Sequence, residues 1–134
     1  MNGTIVVDEK ILKSIKSAVT HLEDSIIALD KKDEGLLADN IWHIAAELEY
    51  TLFLLTIKTR NENDIPELKA DNESKKADVN SMLVDVKNLL NEAERLVLSG
   101  RLQDAYKSAH AARHYASKIK DDLAKKKREM LKKK

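Results

Sequence analysis

VNSMLVDVKNLLNEAERLVLSGRLQDAYKSAHAARHYASKIKDDL, residues 79–123, decides the fold. Its first half sets Val79, Met82, Val86, Leu89, Ala93 and Leu96 in unbroken alternation of three and four residues. That spacing lines one face of an α-helix and no face of a strand. Gly100 stands just past the last of them, where a helix ends most readily on a left-handed residue. The rule then resumes with Leu102, Ala105, Ala109, Ala112, Ala116, Ile119 and Leu123. Two amphipathic helices joined by so short a turn read as an αα-hairpin.

The N-terminal half follows the same pattern. Asp8 is placed to cap a helix beginning at Glu9, with Val7 positioned to staple onto Leu12. Ile11, Ile15, Ala18, Leu22, Ile26 and Leu29 form its apolar stripe, and the charged run at 30–35 ends it. A second helix carries Leu37, Ile41, Ile44, Leu48, Thr51 and Leu55 on one face. Between the pairs, residues 61–74 are polar and hold the one proline, Pro66, suited to opening a short turn. The expectation is an all-α, antiparallel up-down-up-down four-helix bundle. Hairpin 1 covers 9–60, a linker 61–74, hairpin 2 75–124 and a basic tail 125–134. A shift of 65 residues lays Gly35 on Gly100, Leu37 on Leu102, Asp39 on Asp104, Ala46 on Ala111 and Tyr50 on Tyr115. Those matches raise the possibility of a repeated hairpin with a long C-terminal helix.

Composition agrees. A chain of 134 residues has room for one domain with a real core. Three glycines and one proline leave little turn chemistry for a sheet of many strands. Charged residues are 35% and aromatics 4%, so the core is aliphatic and alanine-rich. Cysteine is absent, which excludes disulfides, thiolate metal sites and cysteine nucleophiles, and fits a reducing, cytoplasmic setting. Residues 1–7 show no signal-peptide pattern, and the most apolar run, 50–57, is eight residues, far short of the roughly 20 that span a bilayer.

The second helix is apolar on nearly all sides from Tyr50 to Ile57, more than one stripe of a four-helix bundle hides. Tyr50, Phe53, Leu54 and Ile57, with Trp42, are therefore interface candidates, and a homodimer is the expected assembly. On the same helix Asn40, His43 and Glu47 make a polar stripe between Leu36 and Leu54. Such a stripe reads as a binding site or as a hydrogen-bonded register device between helices.

His110 and His114, four apart, have metal-chelating spacing but no third ligand nearby in sequence, and no metal or other cofactor is expected. No Glu-x-x-His pair, phosphate-cradling glycine loop, Gly-x-Ser-x-Gly elbow or His-Glu-x-x-His helix occurs. The chemistry points away from an enzyme.

Charge is uneven. Residues 118–134 hold nine basic and three acidic side chains, the rest 15 and 20, against a total of +1. Lys125, Lys126, Lys127, Arg128, Lys132, Lys133 and Lys134 are candidates for contact with an acidic protein or nucleic acid. Without interleaved aromatics to stack bases, nucleic-acid binding of this kind is sequence-blind. A tail that only aids solubility is the competing reading.

Leu98-Ser99-Gly100-Arg101, then Asp104-Ala105-Tyr106 and the run from Ala109 through His110, Arg113 and His114 to Ala116, resemble the second hairpin arm of small prokaryotic helical bundles. The HEPN proteins are nearest in size and layout. The ribonucleases of that family carry an Arg followed four to six residues later by a His. Here Arg101 precedes His110 by nine and Arg113 precedes His114 by one. The resemblance therefore implies an RNA-directed or toxin–antitoxin-type protein without the catalytic motif.

Overall fold

A computed structural model describes residues 2–59 and 78–132, the first six of them as backbone. The described chain is all-helical, with α1 (Asn2–Asp30), α2 (Glu34–Thr59), α3 (Val79–Leu98) and α4 (Leu102–Lys132), and no strand occurs among the described residues. The linker expected at 61–74, the turn at Pro66, the side chain of Val7, and Lys133 and Lys134 all lie outside this description.

Every helix buries one stripe in a common core. α1 contributes Ile11, Ile15, Ala18 and Leu22, and α2 contributes Leu37, Ile41, Ile44, Leu48 and Leu55. α3 adds Met82, Leu83, Val86, Leu90 and Ala93, and α4 adds Ala105, Ala109, Ala112, Ala116 and Ile119. The small side chains of α4 let its neighbours approach the backbone closely, while the branched residues of α1 to α3 fill the space. Toward the end of α1 the buried face rotates. Ser25 and Ala28 are buried there, and Ile26 and Leu29 only half-buried.

The start of α1 departs from expectation. The helix begins at Asn2, and Asp8 lies inside it instead of capping it. Nothing between them breaks a helix except the single Gly3. Asp8 is engaged elsewhere, its Oδ1 3.2 Å from Lys58 Nζ near the end of α2. The observed caps are Asp33, which accepts from Leu36 N–H at 3.1 Å, and Asp78, which accepts from Ser81 N–H at 2.7 Å.

The two hairpin turns are built alike. In the first, Lys32 N–H donates to Leu29 C=O and Asp33 N–H to Ala28 C=O. In the second, Gly100 N–H donates to Val97 C=O and Arg101 N–H to Leu96 C=O. Both are Schellman closures with one left-handed residue, Lys32 at φ 58° and Gly100 at φ 78°. The structural repeat therefore runs at 68 residues, which lays Leu37, Ile41, Ile44 and Leu48 on Ala105, Ala109, Ala112 and Ala116. The shift of 65 pairs Gly35, already inside α2, with a glycine that closes a helix, so its identities are out of structural register.

Packing between the hairpins also differs from expectation. α1 packs beside α2 and α3, and α4 beside α3 and α2, while α1 and α4, like α2 and α3, are not side-by-side neighbours among the described residues. Glu34 pairs with Lys126 at 3.1 Å and Glu49 with Arg113 at 2.9 Å, so rising numbers on α2 meet falling numbers on α4. One depression is lined by Ala28 and Leu29 at the end of α1, Leu37 at the start of α2, Val79 at the start of α3 and Leu123 near the end of α4. α2 and α3 consequently run the same way. An up-down-up-down order would send them opposite ways and set them side by side. Short turns fix direction within a hairpin only. Thr59 and Asp78, on either side of 60–77, lie at opposite ends, and α1 and α2 dock with the second hairpin reversed.

Candidate functional site

The outer face of α2 carries a row of exposed large apolar side chains. α1 flanks it through Thr51 and Lys58, α4 through Glu49, and the side between them meets no described helix. Along that side Trp42 is 58% exposed, Tyr50 44%, Phe53 60% and Ile57 42%, with Ala46 among them. Leu54 does not belong to the set. It is 6% exposed, three residues after Thr51 and four before Lys58, on the side that packs against α1. As an interface candidate it is corrected to a core residue.

The polar stripe turns toward α1. Asn40 is buried, its Nδ2 donating to Leu36 C=O at 3.0 Å and its Oδ1 3.3 Å from His21 Nδ1. His43 stacks on His21 with centroids 4.8 Å apart and planes 15° off parallel, and Trp42 meets His43 edge-on. Glu47 lies half-buried in a shallow cleft beside Lys10, Lys13 and Tyr50.

Further along the same seam Ser14 Oγ lies 2.6 Å from Thr51 Oγ1, and each hydroxyl also lies 2.8 Å from a carbonyl of its own helix. Two hydroxyl hydrogens serve three acceptor positions, so one carbonyl contact yields whenever the inter-helix bond forms. Asp8–Lys58, Ser14–Thr51 and His21–Asn40 thus mark three heights along the α1–α2 seam. Asn40 and His43 were legible as polar positions on an otherwise apolar helix. Thr51 stood on the expected stripe of α2, but the partners on α1, His21 and Ser14, carried no signal in the sequence.

The basic segment continues α4 as helix to Lys132. Lys126 meets Glu34, the first residue of α2, so the next six residues overhang by about 9 Å at 1.5 Å each. Lys125, Arg128 and Lys132 share a solvent face at i, i+3 and i+7, and all five described cations from Lys125 to Lys132 are exposed. Under the overhang lies a groove of about 650 Å³, absent from the sequence reading. Gly35 and Ala38 leave room at α2, Trp42, Leu123, Met130 and Leu131 supply apolar walls, and Glu34 and Asp39 face Lys120 and Lys127 across it.

On α4, His110 stacks on Tyr106 with centroids 6.3 Å apart, and His114 is exposed. Burial first, then the charges of Arg113 and His114, hold the His110 pKa below the ordinary histidine value. Arg101 pairs with Asp104 and Arg113 with Glu49, so a carboxylate engages each arginine. Among the described residues no three His, Asp or Glu side chains gather where a metal ion could be held, and no helix is long and apolar enough to cross a membrane. Neither a family model, nor a curated protein, nor a solved structure matches this chain.

Proposed function

We propose that the chain is a non-enzymatic, cytoplasmic interaction module. In this reading it is an antiparallel four-helix bundle that self-associates through the outer face of α2. The basic end of α4 contacts an acidic protein surface or nucleic acid. The observation that carries it is the row Trp42, Tyr50, Phe53 and Ile57, each 42–60% exposed on a helix whose other sides are packed. With side chains of about 150–250 Å² each, the row leaves roughly 400 Å² of mostly apolar surface in water. That is within the range of the largest patch on an ordinary monomer, about 300–600 Å², and such patches are often functional. It is also about half of the ~800 Å² per partner of a standard interface, with flanking residues to supply the rest.

Sedimentation at micromolar to millimolar concentration tests it. The expected result is a dimer or larger, and Phe53→Glu dissociates it while the helical circular dichroism persists. Leu54→Glu is expected to unfold the chain instead, because it places a charge in the core. A 15.2 kDa monomer at every concentration refutes the proposal. For the tail, affinity for mixed-sequence RNA that falls steeply with salt is expected, since each phosphate contact releases counterions. Salt-independent affinity removes that half of the reading.

A further inference from the structure

Resting on self-association through α2, we infer that the partner is a second copy of this chain, its α2 laid antiparallel on the first across a two-fold axis between Glu49 and Tyr50. The pattern of the exposed row supplies the argument. Trp42 and Ile57 lie equally far from that point on either side, and so do Ala46 and Phe53. Rotation about an axis there sets Phe53 against the partner's Ala46 and Trp42 against the partner's Ile57, and the converse pairs follow by symmetry. An isologous contact needs a patch that complements itself, large against small, and this spacing supplies it. A parallel pairing fails that requirement, since Phe53 would meet Phe53 and Ala46 would meet Ala46.

Geometry and charge agree. The row advances by steps of four, four, three and four residues, close on average to the 3.6 residues of one turn, so it stays on one side of α2 over the four turns from Trp42 to Ile57. Ala46 permits approach to the short end of the 8–10 Å range of interaxial distances. Near the axis the two Glu49 carboxylates fall on the same side, which would repel if they were bare. Each is held at 2.9 Å by its own Arg113, so neutralised pairs flank the axis. Tyr50 sits on the opposite side of the axis, 44% exposed.

The chain has no cysteine, so an introduced thiol reports alone. Tyr50→Cys places two sulfurs beside the axis, at Cα separations within the roughly 4.4–6.8 Å that a disulfide spans. It is expected to cross-link under mild oxidation. Trp42→Cys alone is expected not to, its two copies being displaced by 15 residues, about 22 Å along the helix. A mixture of Trp42→Cys and Ile57→Cys chains should cross-link as a mixed dimer. In a second measurement, Ala46→Phe and Phe53→Ala should each weaken the dimer at least about tenfold. The double variant should recover most of the affinity, because large and small have exchanged places across the axis. Self-linking of Trp42→Cys as fast as Tyr50→Cys means a parallel pair and overturns the inference. So does a dimer in which none of these positions link. Sedimentation of the unmodified chain as a monomer instead overturns the underlying self-association, so the two failures are told apart.

Discussion

The two Schellman turns differ in one residue that matters, and exchanging its chemistry tests the turn geometry. A left-handed conformation costs an L-residue roughly 1–2 kcal/mol, whereas glycine adopts it freely but loses about 0.5–1 kcal/mol more entropy on folding. Lys32, at φ 58°, carries the first cost, and Gly100, at φ 78°, carries the second. Lys32→Gly should therefore stabilise the fold by about 0.5–1 kcal/mol. Gly100→Ala should destabilise it by about 1 kcal/mol, through backbone conformation alone, since an added Cβ there would meet no atom within 4 Å. Gly35→Ala is the control. Gly35 is helical and its added Cβ would lie 3.8 Å from Asp33 Oδ1, an ordinary contact, so stability should rise by up to about 0.5 kcal/mol. Urea unfolding at fixed protein concentration reads all three, with the midpoint moving and the slope unchanged. For a chain of this length each kcal/mol is roughly 3–5 °C in Tm. If Gly100→Ala is neutral, or Gly35→Ala costs as much as Gly100→Ala, the assignment of the helix-closing residues is wrong.

Other expectations follow from the seam, the caps and the tail. Ser14→Ala and Thr51→Val should each cost about 1 kcal/mol, and the double variant less than their sum, with at least about 0.5 kcal/mol of coupling; strict additivity would show that the 2.6 Å contact does not join α1 to α2. The Ser81 backbone N–H holds the Asp78 carboxyl below its ordinary pKa. Its stabilisation is therefore present above the ordinary carboxylate range and lost as pH falls through the folded value, so the stability gap between wild type and Asp78→Ala should close in acid. His110, also depressed, should titrate below ordinary histidine by NMR, and Arg113→Gln should move its midpoint up, though not fully, because burial remains. Its neutral-state stabilisation is present above the ordinary histidine value and declines as pH falls through the folded one. Removing residues 125–134 deletes seven positive charges and one negative, from +1 to −5. It should change stability by less than about 1 kcal/mol, because Met130 and Leu131 are exposed, and a larger loss would place them in an interface.

Where helices lie in this chain is legible because burial enforces spacing. Met82, Val86, Ala93 and Leu96 are where the 3-4 rule puts them, and so is the alanine stripe of α4. Gly100 was readable as a terminator because its conformation favours glycine. Lys32 does the same work without the signature, since tertiary packing tolerates about 1–2 kcal/mol of local strain. Matching Gly35 with Gly100 therefore sets the repeat three residues out of register, since Lys32 is the equivalent of Gly100. The direction of the second hairpin was not readable. Local spacing says which side of a helix is apolar, but not which hairpin end meets which. That decision rests on pairs such as Glu34–Lys126, more than 90 residues apart in sequence.

The candidate site shows the same limit at the scale of single residues. From Leu52 to Leu55 four apolar side chains follow one another, and periodicity cannot rank them because the helix is apolar all round. Successive residues turn by 100°, so the four point in different directions, and each direction meets a different neighbour. Leu52 follows Glu49 by three and shares the α4 side. Leu54 follows Thr51 by three and shares the α1 side. Leu55 is fully buried in the core, and Phe53 is left at 60% exposure. Which apolar residue is surplus thus depends on where the neighbours of α2 lie: Leu52 and Leu54 are covered from the two flanks, and Phe53, about half a turn from the buried Leu55, is left on the outer side.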